Sequence, residues 1–269
     1  MKSKLIAAPY IVWMAVFIIV PLAVVVYFAF TDSHTGEFTF ANILKIEMYL
    51  PVFADSIVLG IVATVICLVM GYPMAYALSR TRASSQRLLV MLVMLPMCMS
   101  FLLRTLAWVS LLEDTSGINR LLGMVGVGPL PLIRNSGAVV LGMVYNYLPY
   151  MILPLHSVLI KIDRRVIEAA QDLGCDRWHV LGRVTIPLSI PGIVSGITMV
   201  FVPAVSTFYI SKKMGGPSMA LIGDVIESQF KAAYNPNLGA AMSLALMVLI
   251  FVCMGVMNRF TGDGEAVLI

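Results

Sequence analysis

Apolar residues fill this chain in six blocks of 20 to 26 residues, with polar stretches between them. A helix needs about 20 such residues to cross the hydrocarbon core of a bilayer. The blocks predict six membrane-spanning helices, over residues 5–30, 54–79, 88–112, 137–160, 186–209 and 238–257. A signal peptide has an apolar core of only about 7–15 residues and a small-residue cleavage site. The first block is longer and ends in Tyr27-Phe28-Ala29-Phe30, so it reads as a retained span, kinked at Pro21. Residues 31–53 read as a loop with a short surface helix, 113–136 as a loop rich in Gly and Pro, and 211–237 as a second long segment with a helix over 224–234. Pro73, Pro96, Pro149, Pro154, Pro187, Pro191 and Pro203 all fall in spans. Neighbouring helices can re-satisfy the backbone groups that proline frees, so bent helices lining something are expected. Gly192 and Gly196 form a GxxxG, the spacing that lets two helix backbones approach.

Composition agrees with the pattern. The chain has 269 residues, 60% hydrophobic and 12% charged, with mean hydropathy +0.94. Soluble domains carry about 25% charged residues. The fold class expected is an all-α integral membrane protein. The net charge of +4 bears on orientation rather than on nucleic acid. Six spans put both termini on one side. That side, with 80–87, 161–183 and the tail, carries eleven Lys/Arg against six on the other. Basic loops stay in the cytoplasm, so both termini and the 161–183 loop are expected there. The four cysteines are scattered with no CxxC spacing, which argues against a disulfide framework.

The densest polar run is 161–183, with five Lys/Arg, four Asp/Glu and His179. It holds Glu168-Ala169-Ala170 and Gly174, which reads as a short helix ended by a glycine turn. No GxxxxGK[ST] is present, so ATP is not bound here through a P-loop. HExxH and GxSxG are absent, and His34, His156 and His179 lie far apart, so neither a metal site nor an enzyme is expected. Gly123, Gly126 and Gly128 do not follow the GxGxxG order. No internal repeat is visible, and only Arg104 and His156 are ionisable groups inside spans, both towards the ends. An ion-driven carrier tends to show repeats and intramembrane charges. If solute crosses, the energy comes from another chain, pushing on the polar loop.

At that loop the sequence resembles the permease subunits of bacterial binding-protein-dependent ABC importers. Glu168-Ala169-Ala170, three residues, Gly174, nine residues and Val184-Thr185-Ile186-Pro187 match the family's spacing. Further marks resemble the B-type permeases of spermidine/putrescine importers. They include Arg104-Thr105-Leu106-Ala107-Trp108, Tyr147-Leu148-Pro149-Tyr150, Asp172-Leu173-Gly174, Gly215-Gly216-Pro217 and Gln229-Phe230. One stretch departs from that pattern: Lys212-Lys213 stands where the subfamily is apolar or acidic.

The resemblance implies a coupling helix between spans four and five, docked on a cytoplasmic ABC ATPase dimer through Glu168, Ala169, Ala170, Gly174 and Pro187. It also implies a second permease of the C type, an extracytoplasmic substrate-binding protein and the bacterial inner membrane as surroundings. No cofactor is expected in this chain, ATP and Mg belonging to the ATPase. A polyamine needs carboxylates and aromatic faces. The candidates are Asp55, Glu113, Asp114, Asp224 and Glu227 with Trp108, Tyr145, Tyr147, Phe208 and Tyr209. Two alternatives stay open: another small solute, such as an iron complex or phosphonate, and a membrane scaffold or sensor that moves nothing.

Overall fold

The computed structural model describes residues 9–10, 12–33, 35–126, 130–216 and 219–259. The first residues of the predicted first span, His34, Gly128, Pro217 and the tail beyond 259 lie outside these. Among the described residues the chain is all helix and loop, apart from one antiparallel bridge between Thr31 and Phe38. The helices are α1 (Val12–Ala29), α2 (Leu50–Arg80), α3 (Ala83–Met94), α4 (Phe101–Leu112), α5 (Gly117–Met124) and α6 (Ser136–Leu159). Then come α7 (Arg164–Asp172), α8 (Arg177–Leu188), α9 (Ile190–Val205), α10 (Ile222–Lys231) and α11 (Pro236–Arg259). Among the described residues four helical stretches are long and apolar enough to cross a membrane unaided: Val12–Ala29, Ala41–Arg80, Ser136–Leu159 and Pro236–Met257. Two bent pairs bring the count to six if each is one span: Ser84–Cys98 with Phe101–Met124, at 85°, and Arg177–Leu188 with Ile190–Val205, at 68°.

Both breaks have a local cause. Pro96 and Pro191 lack the N–H that would continue the ladder, and their rings clash with the preceding turn. The continuous helix expected over 88–112 therefore stops at Met94, passes through a 3₁₀ turn at Leu95–Cys98, and restarts at Phe101 in a new direction. Span five restarts at Ile190 and ends at Val205, inside the expected 186–209. Two more expectations change. Helix begins ahead of residue 54, through short turns at Ala41–Leu44 and Lys45–Tyr49 that lead into α2. The supposed 113–136 loop contains α5, whose Ser116 accepts a bond from the Asn119 amide and caps its start.

The centre of the bundle is α2, α6 and α9, joined by the buried Ala63, Cys67, Met143, Met151 and Val200. In lipid no hydrophobic drive brings helices together, so close packing must do it. Gly196 meets that need: a Cβ there would lie 2.7 Å from Met151 Sδ and 3.3 Å from the Met151 carbonyl. Gly192 likewise faces Val158 and the Pro154 carbonyl on α6. The GxxxG is thus the α6–α9 contact. Pro149 and Pro154 leave α6 helical, because α2 and α9 pack along it.

At one end of the bundle, α1 and α11 meet through Ala29, Ala240 and Ala241. Asn42 and Asn237 there both donate to the Thr31 carbonyl, and Asn42 also bonds the Ala29 carbonyl at 3.3 Å. They satisfy carbonyls at and just past the end of α1 that the helix itself cannot. The start of α10 is tied to α2 by a 2.8 Å bond from the Ile222 amide to Ser56 Oγ.

Candidate functional site

α7 carries the Glu-Ala-Ala stretch at the opposite end of the bundle. Asp163 caps it by accepting from the Arg165 amide at 3.0 Å. Ile167 is its buried residue, and Glu168 and Ala169 point outward. Among the described residues Glu168 makes no ion pair, not even with Arg164 one turn back. The helix ends in a Schellman motif. The Cys175 amide bonds the Ala170 carbonyl at 3.1 Å, the Gly174 amide bonds the Gln171 carbonyl at 2.8 Å, and Gly174 sits at φ +87°. The turn leaves Leu173 86% and Trp178 79% exposed on the same end. Asp176, held below the usual carboxylate range by bonds from His179, caps the start of α8.

Pro187 lies in the last turn of α8. A π turn at Leu181–Thr185 precedes it, in which the Ile186 amide reaches back to the Leu181 carbonyl. The break that follows is fastened to α2 by a 3.0 Å bond between Ser189 Oγ and the Tyr72 hydroxyl. A displacement of α7 and α8 therefore has a direct mechanical route to α2 and α9. His156 near the end of α6 bonds Gln86 of α3 at 2.9 Å, which ties a third element to the same end.

A second group gathers midway along α6. Trp108 of α4 meets Tyr145 edge-on at 5.4 Å between ring centres, and Phe101 meets Tyr209 at 6.1 Å. Tyr147 neighbours Tyr150 at 6.4 Å and donates to the Pro203 carbonyl at 3.3 Å. Arg104 of α4 is buried beside them, close enough to act electrostatically on Tyr147.

The candidate carboxylates do not join this group. Asp55 is exposed on α2, and Glu113 and Asp114 are exposed just past α4. Asp224 and Glu227 lie on α10, in an open groove of about 930 Å³. Arg134, Lys212, Lys213 and Lys231 line the same groove. Glu227 is held between Lys231 at 2.9 Å and Lys212 at 3.1 Å, which keep its carboxyl below the usual range. Asp224 turns back to the Leu221 amide at 3.0 Å, and burial pushes its carboxyl up. Phe208 faces a separate apolar pocket of about 420 Å³ with Gly223 and Met247.

Residues 67–261 match the model of a family described as the binding-protein-dependent transport system inner membrane component. The chain belongs to that family. This inner membrane component is 34% identical over 257 residues to the spermidine/putrescine transport system permease protein PotB of Haemophilus influenzae, covering 92% of this chain and 90% of that one. It is 33% identical over 247 residues to PotB of Escherichia coli K12, covering 88% and 90%. Its fold matches a bacterial ABC transporter involved in import of the acidic polysaccharide alginate, with TM-score 0.79, 15% identity, and 97% and 96% of the two chains covered.

For an inner membrane component of this kind, the sequence reading missed Phe101, Arg104 and Tyr150 as site candidates. An arginine alone inside an apolar span was the available signal for Arg104, since intramembrane charge marks function by default.

Proposed function

We propose that this chain is the permease subunit of an ATP-driven importer of polyamines, spermidine or putrescine. The observation that carries the reading is similarity to PotB along nearly the whole of both chains. The coupling part of the reading is supported by α7. Its carboxylate Glu168 has no ion-pair partner among the described residues, and Leu173 and Trp178 are apolar and uncovered beside it. Charge-assisted bonding at Glu168 and burial of those two side chains would dock α7 on a cytoplasmic ATPase dimer. Ala169 and Ala170 keep the approach close, and Gly174 and Pro187 hold the turns on either side of α8. ATP and Mg act in that separate ATPase, and this chain carries no cofactor of its own.

The excess of Lys/Arg at the α7 end favours a cytoplasmic position for that end and for both termini. A solute would pass along the face of α4 and α6, where the half-buried Trp108 and Tyr145 offer ring faces to ammonium groups, Tyr147 being buried in the core. A C-type second permease supplies the other wall, and an extracytoplasmic binding protein delivers the solute. The lysines around Glu227 favour a second reading, an anionic solute such as a phosphonate.

The test is reconstitution of the chain with the ATPase, second permease and binding protein encoded beside it. Labelled spermidine should accumulate in an ATP-dependent way and be competed by excess unlabelled spermidine. Uptake indifferent to spermidine but competed by phosphonate would replace the polyamine reading with the second one.

A further inference from the structure

We infer that Glu227 is an ammonium-binding site at the outer mouth of this chain, and that Lys212 is its built-in occupant, which an ammonium group of the solute replaces. The inference rests on the polyamine reading of the proposed function and adds to it the residues that admit the solute.

The Glu227 carboxylate already holds two alkylammonium groups, Lys231 Nζ at 2.9 Å and Lys212 Nζ at 3.1 Å. A lysine side chain is an ammonium on a flexible four-carbon stem, and putrescine is that stem with an ammonium at each end. The site thus displays the chemical group it would take from a polyamine. Its surroundings suit the rest of such a molecule. Glu227 lines both the open groove of Lys212, Lys213 and Lys231 and the apolar pocket of Phe208, Ile226 and Met247. A carboxylate where a polar groove meets an apolar wall fits a cation followed by methylenes, and Phe208 adds a ring face.

The two lysines are held differently. Lys231 stands one turn along α10 from Glu227, a spacing that helix geometry itself brings together. Lys212 comes from a separate segment, the π turn Ser211–Gly215. Its side chain is 61% exposed, against 17% for Glu227. A pair with so exposed a member is weak, whereas the carboxylate it serves is mostly covered and needs a cation. An ammonium that replaces Lys212 leaves Glu227 with the same charged partners as before, so the exchange strands no charge on the carboxylate.

The turn that carries Lys212 also leans on α4 and α6. Ile210 and Met214 press on Gly142 of α6, where a Cβ would lie 2.8 Å and 2.7 Å from them, and Tyr209 meets Phe101 of α4. The groove opens at the end of the bundle away from α7, beside Arg134 just ahead of α6. Exchange at Glu227 releases from α10 the segment that rests against the solute's path, at the end where an imported solute arrives.

The experiment measures binding of labelled spermidine to the complete permease–ATPase complex by equilibrium dialysis. K212M and K213M are compared, each alone and together with E227Q. Both lysine variants remove one positive charge from the groove, but only K212M vacates Glu227. A tethered competitor held as weakly as exposed pairs are masks its site about two- to sixfold. K212M should therefore bind spermidine more tightly than K213M by that factor, and with E227Q the two should be equal. Amine labelling of the unaltered complex, read by mass spectrometry, should rise at Lys212 relative to Lys213 when spermidine is added. Equal binding by K212M and K213M, a difference that survives E227Q, or Lys212 labelling that spermidine leaves unchanged would each overturn the inference. Spermidine that binds through Glu227 but is not taken up by the reconstituted importer would remove the polyamine reading and leave the ammonium site standing. Spermidine uptake with K212M and K213M alike would remove this inference alone.

Discussion

Substitution at Gly174 separates the shape of the α7 turn from everything else the loop does. Its φ of +87° lies where L residues are disfavoured, yet a Cβ built there has no atom within 4 Å. The penalty is therefore conformational alone, about 1–2 kcal/mol for an ordinary side chain. That is a factor of about 5 to 30 between the closed and opened turn. Asn tolerates this region better, and a β-branched residue tolerates it worst. Affinity of the ATPase for the detergent-solubilised permease pair, and spermidine uptake, should fall in the order Gly, Asn, Ala, Val. Asp has nearly the shape of Asn but adds a negative charge at a helix C-terminus, a further loss of about 0.3–1 kcal/mol. Insertion of all five proteins should be equal. A Val variant that binds the ATPase as well as the parent would refute the claim that this turn presents the coupling helix.

Glu168→Gln should leave stability within about 0.5 kcal/mol, since the side chain is exposed and makes no ion pair among the described residues. It should weaken ATPase docking by about 1.5–3 kcal/mol, read by titrating ATPase onto the pair. Gly196→Ala forces a methyl against Met151 and should lower stability by about 1–3 kcal/mol in a detergent melt. Gly255→Ala on α11, where the methyl meets nothing, is the control. Asn42→Ala and Asn237→Ala each expose carbonyls past α1 for about 1–3 kcal/mol. Because both bond the Thr31 carbonyl, the double variant should lose less than the sum. Glu227, lowered by Lys231 and Lys212, stabilises the fold above the ordinary glutamate value of 4.5 and ceases to as pH falls through its own lower one. Amide protection in α10, measured relative to the intrinsic exchange rate at each pH, should fall on that acidification. The difference from Glu227→Gln isolates it from Asp224, whose raised carboxyl acts in the opposite sense.

The α7 loop was readable because its determinants are neighbours. Asp163 caps a helix two residues on, and Gly174 closes a turn whose hydrogen bonds span a few residues. The pairing of Trp108 with Tyr145, and of Glu227 with Lys212, was not readable. Those contacts depend on how α4 lies on α6, and how 211–215 lies on α10. The carboxylates looked available to an ammonium group in the sequence, but lysines of the same chain already occupy Glu227.

Proline shows the same division. Pro96 and Pro149 both stand in unbroken apolar runs, and hydropathy treats them alike. Pro149 stays inside the unbroken α6, enclosed by α2 and α9, whereas Pro96 ends α3 and turns the chain. By itself the sequence determined that this is a multi-span helical membrane protein with one large polar loop, since burial of apolar length and capping are local. Only the tertiary structure decided which spans break, which glycines carry a helix contact and which lysines hold Glu227. Each of those depends on the groups that neighbouring helices present at the same depth.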